Sequence, residues 1–397
     1  MNFSTKAVTD IANILATEAN QAIEKGEIKD ITEMENWIRE VTKMVGQQAF
    51  QQTLEQEDQK LGSSVECECG GLAKRISTRP AKIVSVFGVV EYCRSYYGCQ
   101  HCGKKKHEVD KQLGIQPGEV SPALSKLLTI AGVETAIEKG VKLLKEFLLI
   151  DISDNTIRKY TQWAGEKQAQ VEARWIAESH EEAWLQARER SVVDPPERLY
   201  GSIDGAHVPI GDEWRELKTL GWYRVDKVYG QKQPKAQDIT YHTDIKPAQQ
   251  FGSLLWATGV RRMADKAREL IFVCDGAAWI WKLVSHYFPQ AVQIVDWYHA
   301  CEYLAPIAEA AFQTEKQRQT WIQQVQDWLW EGKTQKVIRA CQKFVHCSSA
   351  AEVAHRAVTY YVNNQHRMDY PTYRKKGYWI GSGTIESACK QIASARL

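Results

Sequence analysis

The chain has 397 residues, 44% apolar and 25% charged, with a formal net charge of +2. These proportions suit a soluble globular protein of two or three domains with at least one large core, and so even a charge says little about partners. The opening MNFSTKAVTDIANILATEANQ lacks the basic start and apolar centre of a secretory signal, and no run is long and apolar enough to span a bilayer.

Residues 1–62 carry helical periodicity with polar outer faces, as in ITEMENWIREVTKMVGQQAFQQTLEQE. Residues 63–112 switch to short β-rich runs, PAKIVSVFGVVEYCRSYY, bracketed by cysteine pairs. Residues 113–193 return to helix, where VKLLKEFLLIDISDNTIRKYTQWAGEKQAQ reads as two helices joined by a turn, with Ser153 or Asp154 capping the second. That outline fits a helix-turn-helix that reads DNA, through Arg158 and Lys159, and equally a plain helical pair. Asp194-Pro195-Pro196 breaks the helix and predicts a domain boundary.

Residues 194–397 alternate strands and helices. RLYGSIDGAHVPI, WRELKTLGWYRV and AQDITYHTDI predict three consecutive strands, followed by a helix from Pro247 to about Glu269. LIFVCDGA predicts a buried strand, WIWKLVSHYF a helix and AVQIVDWYHA another strand, before helix resumes over about 300–366. The order implies an α/β sheet that begins as an antiparallel meander.

Five of the cysteines fall between Cys67 and Cys102. Cys67 and Cys69, followed by Gly70-Gly71, and Cys99 and Cys102, followed by Gly103, flank a predicted hairpin. Two such knuckles offer zinc four thiolates, and the glycines let backbone amides turn toward the sulfurs. Cys93, inside a strand, reads as a packed thiol that could replace a ligand. Nine Lys/Arg lie between Gly70 and Gln112 against three acids, and Lys74, Arg75, Lys104, Lys105 and Lys106 are candidate DNA contacts.

Three carboxylates occupy unusual places. Asp204 interrupts an apolar strand, Asp275 ends another, and Glu386 opens a terminal helix after a loop in which Gly381 and Gly383 let the backbone turn. Buried acids are costly unless paired or bound to metal. A cluster of hard oxygen ligands suits magnesium or manganese, which can activate a water or a 3′-hydroxyl against a phosphodiester.

SIDGAHVPI, VCDGAAWIWKLVSHYFPQAVQIVDWYHACEYL and GYWIGSGTIESACKQIASARL resemble the Kra-type insertion-sequence transposases, which are related to the Mutator-like group. The resemblance runs from about Gly70 to the end of the chain. It implies an α/β RNase H-like catalytic domain with an all-helical insertion, preceded by a helical N-terminal region and a zinc β-ribbon. Carried over by position, its Asp-Asp-Glu triad is Asp204, Asp275 and Glu386, which would hold magnesium or manganese. An Asp-x-x-His pattern, here Asp296 to His299, is implied to lie near the active site. The glutamate helix normally continues, so the eleven residues after Glu386 suggest a truncated copy or the first part of a frameshifted product.

The expected function is therefore a DNA transposase that cuts and joins the ends of an insertion sequence. Its expected partners are double-stranded DNA, both terminal inverted repeats and target, and a second copy of the chain. The expected location is the bacterial cytoplasm, on the nucleoid, with no membrane partner. The alternative is an inactive DNA-binding remnant or repressor-like copy. A metal-dependent nuclease of the same fold would cut without strand joining, and a glycosidase needs neither the ribbon nor a third acid.

Overall fold

The computed structural model describes residues 4–116, 118–191, 194–226, 235–381 and 383–385. It divides into two compact units, Met1–Glu166 and Lys167–Leu397.

In the first unit, α1 (Thr5–Glu24) precedes the long α2 (Ile31–Gln59). Asp30 caps α2 by accepting from the Glu33 N–H at 2.8 Å, and the Glu33 carboxylate returns to the Lys29 N–H at 2.6 Å. Next come β1 (Ser64–Glu66), β2 (Leu72–Ser85), β3 (Gly88–Cys99) and β4 (Lys105–Lys106), an antiparallel sheet in that order. Alternation along β2 and β3 turns Ile83, Val90 and Tyr92 onto Leu54 of α2. Two outward N–H groups of β3 are met by α2. Its Glu55 carboxylate accepts from Cys93 N at 3.0 Å, and buried Asp58 accepts from Ser95 N at 2.9 Å and from the Ser95 hydroxyl at 2.6 Å.

After α3 (Glu108–Leu113), a helical cluster forms from α4 (Pro122–Glu134), α5 (Ile137–Leu148) and the start of α6 (Asp154–Glu178) around Leu124, Leu128, Leu144, Ile150 and Ile157. Leu149 turns the chain in the left-handed region at φ 55°. Ser153, rather than Asp154, makes the cap: its hydroxyl accepts from Thr156 N at 3.2 Å. The two units divide within α6 and not at Asp194-Pro195-Pro196. The reason is that one unbroken helix carries Ile157 in the first unit's core and Ile176 against the second's.

The second unit takes in the rest of α6, α7 (Glu182–Ser191) and a mixed sheet of β5 (Arg198–Ile210), β6 (Glu213–Asp226), β7 (Lys235–Asp244), β8 (Glu269–Cys274) and β9 (Val292–Val295). Strand order is β7-β6-β5-β8-β9, with β5, β6 and β7 antiparallel and β8 and β9 parallel to β5. Between β7 and β8, α8 (Ala248–Arg261) stops well short of the expected Glu269. Met263 adopts φ 60°, which reverses the chain, and Glu269 already belongs to β8. Between β8 and β9 lies α9 (Ala278–Tyr287).

One face of the sheet packs on α8 and α9. Trp222 is fully buried, its Nε1–H donating to Thr258 Oγ1 at 2.9 Å, with Phe272 and Phe288 edge-on to its ring. Truncating such a residue to alanine costs about 3–5 kcal/mol. After β9 the chain is helical: α10 (Trp297–Glu302), α11 (Leu304–Ala311), α12 (Glu315–Trp330), α13 (Thr334–Gln342), α14 (Ala351–Asn364), a short 3₁₀ turn and α15 (Tyr370–Lys375). No described helix is long and apolar enough to cross a membrane.

Candidate functional site

In the first unit, the hairpin of β2 and β3 closes the cysteine knuckles on each other. Cys67 Sγ lies 3.6 Å from Cys102 Sγ, and Cys69 Sγ lies 3.6 Å from Cys99 Sγ. All four sulfurs fall within 4.8 Å of one another. A tetrahedron of thiolates at the Zn–S bond length has edges of about 3.8 Å, so the set fits zinc. Gly70 and Gly103 take φ of 79° and 72°, which a side chain would strain, and so let each knuckle turn back on itself. The N–H groups of Cys102 and His101 point at the Cys99 sulfur and hold its thiol down to about 6, favouring the thiolate a metal needs. Cys93 stands apart from this group. It is exposed, not packed as expected, because it faces outward from β3.

The basic residues around the knuckles separate into two kinds. Lys104 and Lys111 both pair with Glu68, Lys106 with Glu108, and Arg94 with Asp110. Lys74, Arg75, Arg79, Lys82 and Lys105 are exposed or half-exposed and make no ion pair with a described residue. In the helical cluster, Lys159 pairs with Glu119 at 2.8 Å, and Arg158 is exposed.

In the second unit, sheet register brings the carboxylates together. Gly201 sits opposite Phe272 in the parallel pair β5/β8, and Cys274 opposite Val295 in β8/β9. Continuing those registers sets Asp204, Asp275 and Asp296 level across three neighbouring strands, about 4.8 Å apart strand to strand and on one face. Asp204 accepts from Gly205 N at 2.7 Å and Asp275 from Ala277 N at 2.9 Å. Asp296 is fully buried and caps α10 by accepting from His299 N at 2.7 Å.

Burial pushes the Asp275 carboxyl above its usual range against the help of the Ala277 N–H, and the negative charges of Asp204 and Asp296 push it further. His299 is held up by the carboxylates of Glu302, Asp296 and Asp275, which outweigh the opposing effect of its burial. A cleft of about 670 Å³ opens beside Asp275, between α10–α11 and α14, lined by His299, Tyr303, Arg356 and Tyr360 among others.

Two residues of α14 that the sequence did not single out fix the loop after Asp275. Tyr360 donates to the Asp275 carbonyl at 2.7 Å and Asn364 Nδ2 to the Gly276 carbonyl at 3.3 Å. Gly276 has φ 101°, and a Cβ there would come within 2.8 Å of the Tyr360 ring. Nothing in the spacing of a helix tyrosine announces a bond to a loop 85 residues upstream.

The segment after α15 lies over the same sheet face. Arg198 donates to the carbonyls of Lys376 and Gly377 at 3.1 and 3.0 Å while pairing with Glu269, whose other oxygen accepts from Tyr378 at 2.6 Å. Trp379 N donates to Tyr200 Oη at 3.1 Å, and Trp297 N to the Ile380 carbonyl at 2.9 Å. Beyond Gly381, Tyr241 donates to the Thr384 carbonyl at 3.0 Å, and Ile385 is buried against Gly221. Gly381 has no positive φ, and a Cβ there would sit 3.3 Å from the Tyr298 ring, so at this position the missing side chain serves a close approach rather than a left-handed turn. Glu386 lies outside the described residues.

The chain is thus a mixed α/β protein with a four-cysteine cluster suited to a metal such as zinc and a separate row of aspartates, Asp204 within β5 and Asp275 and Asp296 just past the ends of β8 and β9. Residues 25–186 match the Uncharacterised protein family (UPF0236), a span that begins after α1, takes in the rest of the first unit and stops before β5. No curated protein matches the chain.

Proposed function

We propose that this chain is a DNA transposase with an RNase H-like catalytic domain of the kind its resemblance implies. The observation that carries the reading is the level row of Asp204 and Asp275 on adjacent parallel strands, on the sheet face crossed by the segment that leads into Glu386. The meander followed by parallel strands, and the helices after β9, agree with that fold.

Asp204, Asp275 and Glu386 are the residues that would hold magnesium or manganese. The donor set is all oxygen, and the Asp275 carboxyl, raised by burial first and then by the charges of Asp204 and Asp296, stands where a bound cation would favour its ionised form. When bound, such ions supply positive charge at the oxygens of the phosphodiester being cut or joined. The chain's own contribution is position: β5 and β8 fix the two aspartates, and Tyr360 and Asn364 hold the loop behind Asp275. Asp296, the third member of the row, and His299 would be accessory groups, with Asp296 capping α10. The cysteine cluster would hold zinc and brace the ribbon for DNA.

The test is cutting of duplex DNA that carries the element's ends, with magnesium or manganese. Nicking and end joining that vanish in Asp275→Asn and in Glu386→Gln support the reading. Duplex binding by the wild-type chain with no nicking at any metal concentration would instead make it a repressor-like binder.

A further inference from the structure

We infer that the outer edge of β2 is the duplex-DNA contact of the first unit, entering a groove of the DNA as the leading edge of the β2–β3 ribbon. This rests on the reading that the chain acts on DNA and names the surface that would do so.

The ribbon's two edges are treated differently. Along β3, the carboxylates of Glu55 and Asp58 take up the outward N–H groups at Cys93 and Ser95, and β4 pairs with Tyr97 and Gly98. Along β2, β1 covers only Leu72 to Lys74, with Ser63 accepting from Arg75, and the other end is met at Lys82 and Val84 by residues 118–120. Ile76 to Pro80 between them are exposed.

The charges on that edge are also different. Of the lysines nearest the knuckles, Lys104 and Lys111 are neutralised by Glu68 and Lys106 by Glu108, while Lys105 makes no ion pair with a described residue. Lys74, Arg75, Arg79 and Lys82 have no such partner among the described residues; Arg75 donates to the Thr78 hydroxyl at 3.0 Å and Arg79 lies 3.6 Å from the Tyr96 ring centre. Cations without an internal carboxylate are the ones free to exchange their counterions for phosphates.

Register then sorts the four onto opposite faces. The bulge between Arg75 and Ser77 shifts the alternation, so that Lys74 and Arg79 share the face of Gly98, Tyr96 and Arg94, while Arg75 and Lys82 share the face of Tyr97 and Glu91. A strand that enters a groove edge first therefore presents one pair of cations to each wall. From Lys74 to Lys82 the strand extends roughly 26 Å at about 3.3 Å per residue. That is most of one turn of B-DNA, whose major groove admits a two-stranded ribbon.

The experiment measures binding of the full chain, without added magnesium, to an arbitrary duplex DNA of about 30 base pairs across a salt series, with the matching RNA duplex as comparison. Replacing all four residues, Lys74→Gln, Arg75→Gln, Arg79→Gln and Lys82→Gln, is expected to lower the slope of log affinity against log salt by about 3–4 units. Lys104→Gln with Lys106→Gln is expected to change it by less than about one. Single Arg75→Gln and Lys82→Gln variants are each expected to remove about one unit, which keeps the test decisive if the fourfold variant misfolds. The RNA duplex, whose deep groove excludes a ribbon, is expected to bind more weakly.

An unchanged slope in the fourfold variant, an equal loss in the Lys104/Lys106 variant, or equal binding to RNA overturns the proposal while leaving the DNA reading intact. A fourfold variant that binds DNA normally but aggregates would show that these charges merely guard an open edge, and it too overturns the proposal. A wild-type chain that binds no duplex overturns both.

Discussion

Asp204 and Asp275 stand level because β5 and β8 run parallel with Gly201 opposite Phe272, and each strand carries that register three residues further to its aspartate. Two acids 71 positions apart in sequence thus stand at one level of two neighbouring interior strands. The arrangement is unfavourable in itself, since burial and a like charge both oppose ionisation of Asp275.

That cost predicts a trade. With no divalent cation present, Asp275→Asn should melt higher than the wild type by a few degrees, the effect of about 1 kcal/mol in a unit of this length. The same variant should lose the stabilisation that added magnesium gives the wild type. Calorimetry with and without the ion reads both, and an Asp275→Asn protein that melts lower in the absence of metal would contradict the account of its environment.

The cysteine cluster predicts about one zinc per chain, lost on Cys99→Ser and retained on Cys93→Ser. Metal content by mass spectrometry checks the stoichiometry. Circular dichroism during chelation should show the ribbon's structure going with the metal, because a site that exists only in the folded hairpin couples binding to folding.

Glu172 and His242 form a hydrogen bond of 2.9 Å between α6 and β7. Burial pushes the Glu172 carboxyl up, but the bonds from His242 and Gln168 together with the His242 charge outweigh it and hold the group below its ordinary 4.5. Its contribution to stability is therefore complete above about pH 4.5 and is lost as pH falls through the lower folded value. In His242→Phe the Gln168 bond is left to oppose burial and the Asp244 charge, so the variant should be less stable near neutrality and the gap to wild type should shrink in acid. Thermal melts from about pH 7 to about pH 3 would show it, and a gap that widens in acid would count against the pair.

Arg198 joins β5, β8 and the segment after α15 through Glu269 and two carbonyls. Arg198→Leu should cost about 1–2 kcal/mol, the lower part of the range for charge-assisted bonds because the pair is partly exposed. It should also speed amide exchange around Trp379 and Ile380 and slow nicking without altering duplex affinity. Equal loss of binding would mean that the segment serves another purpose.

Patterns with a short period were legible in the sequence. The cysteine spacings predict the knuckles, and apolar runs ending in acids predict the strands that carry Asp204 and Asp275. What spacing does not contain is the partner of a charge. Lys104, Lys106 and Lys159 look like free cations in the sequence, but their partners Glu68, Glu108 and Glu119 arrive through tertiary packing. Met263 ends α8 in a left-handed turn without the glycine that would have announced it. Cys93 alternates outward simply because its neighbours Tyr92 and Arg94 turn the other way. The level row of Asp204, Asp275 and Asp296 needed strand order as well as strand identity, and order is a property of the assembled sheet.

The carboxylates of Glu55 and Asp58 on β3 carry a practical consequence for anyone isolating the zinc knuckle. A fragment beginning at the first cysteine would strip two acceptors from the strand and leave both margins of the hairpin ready to recruit a neighbour. The smallest well-behaved piece must therefore start upstream of Glu55, so that the helix travels with the strand it insulates.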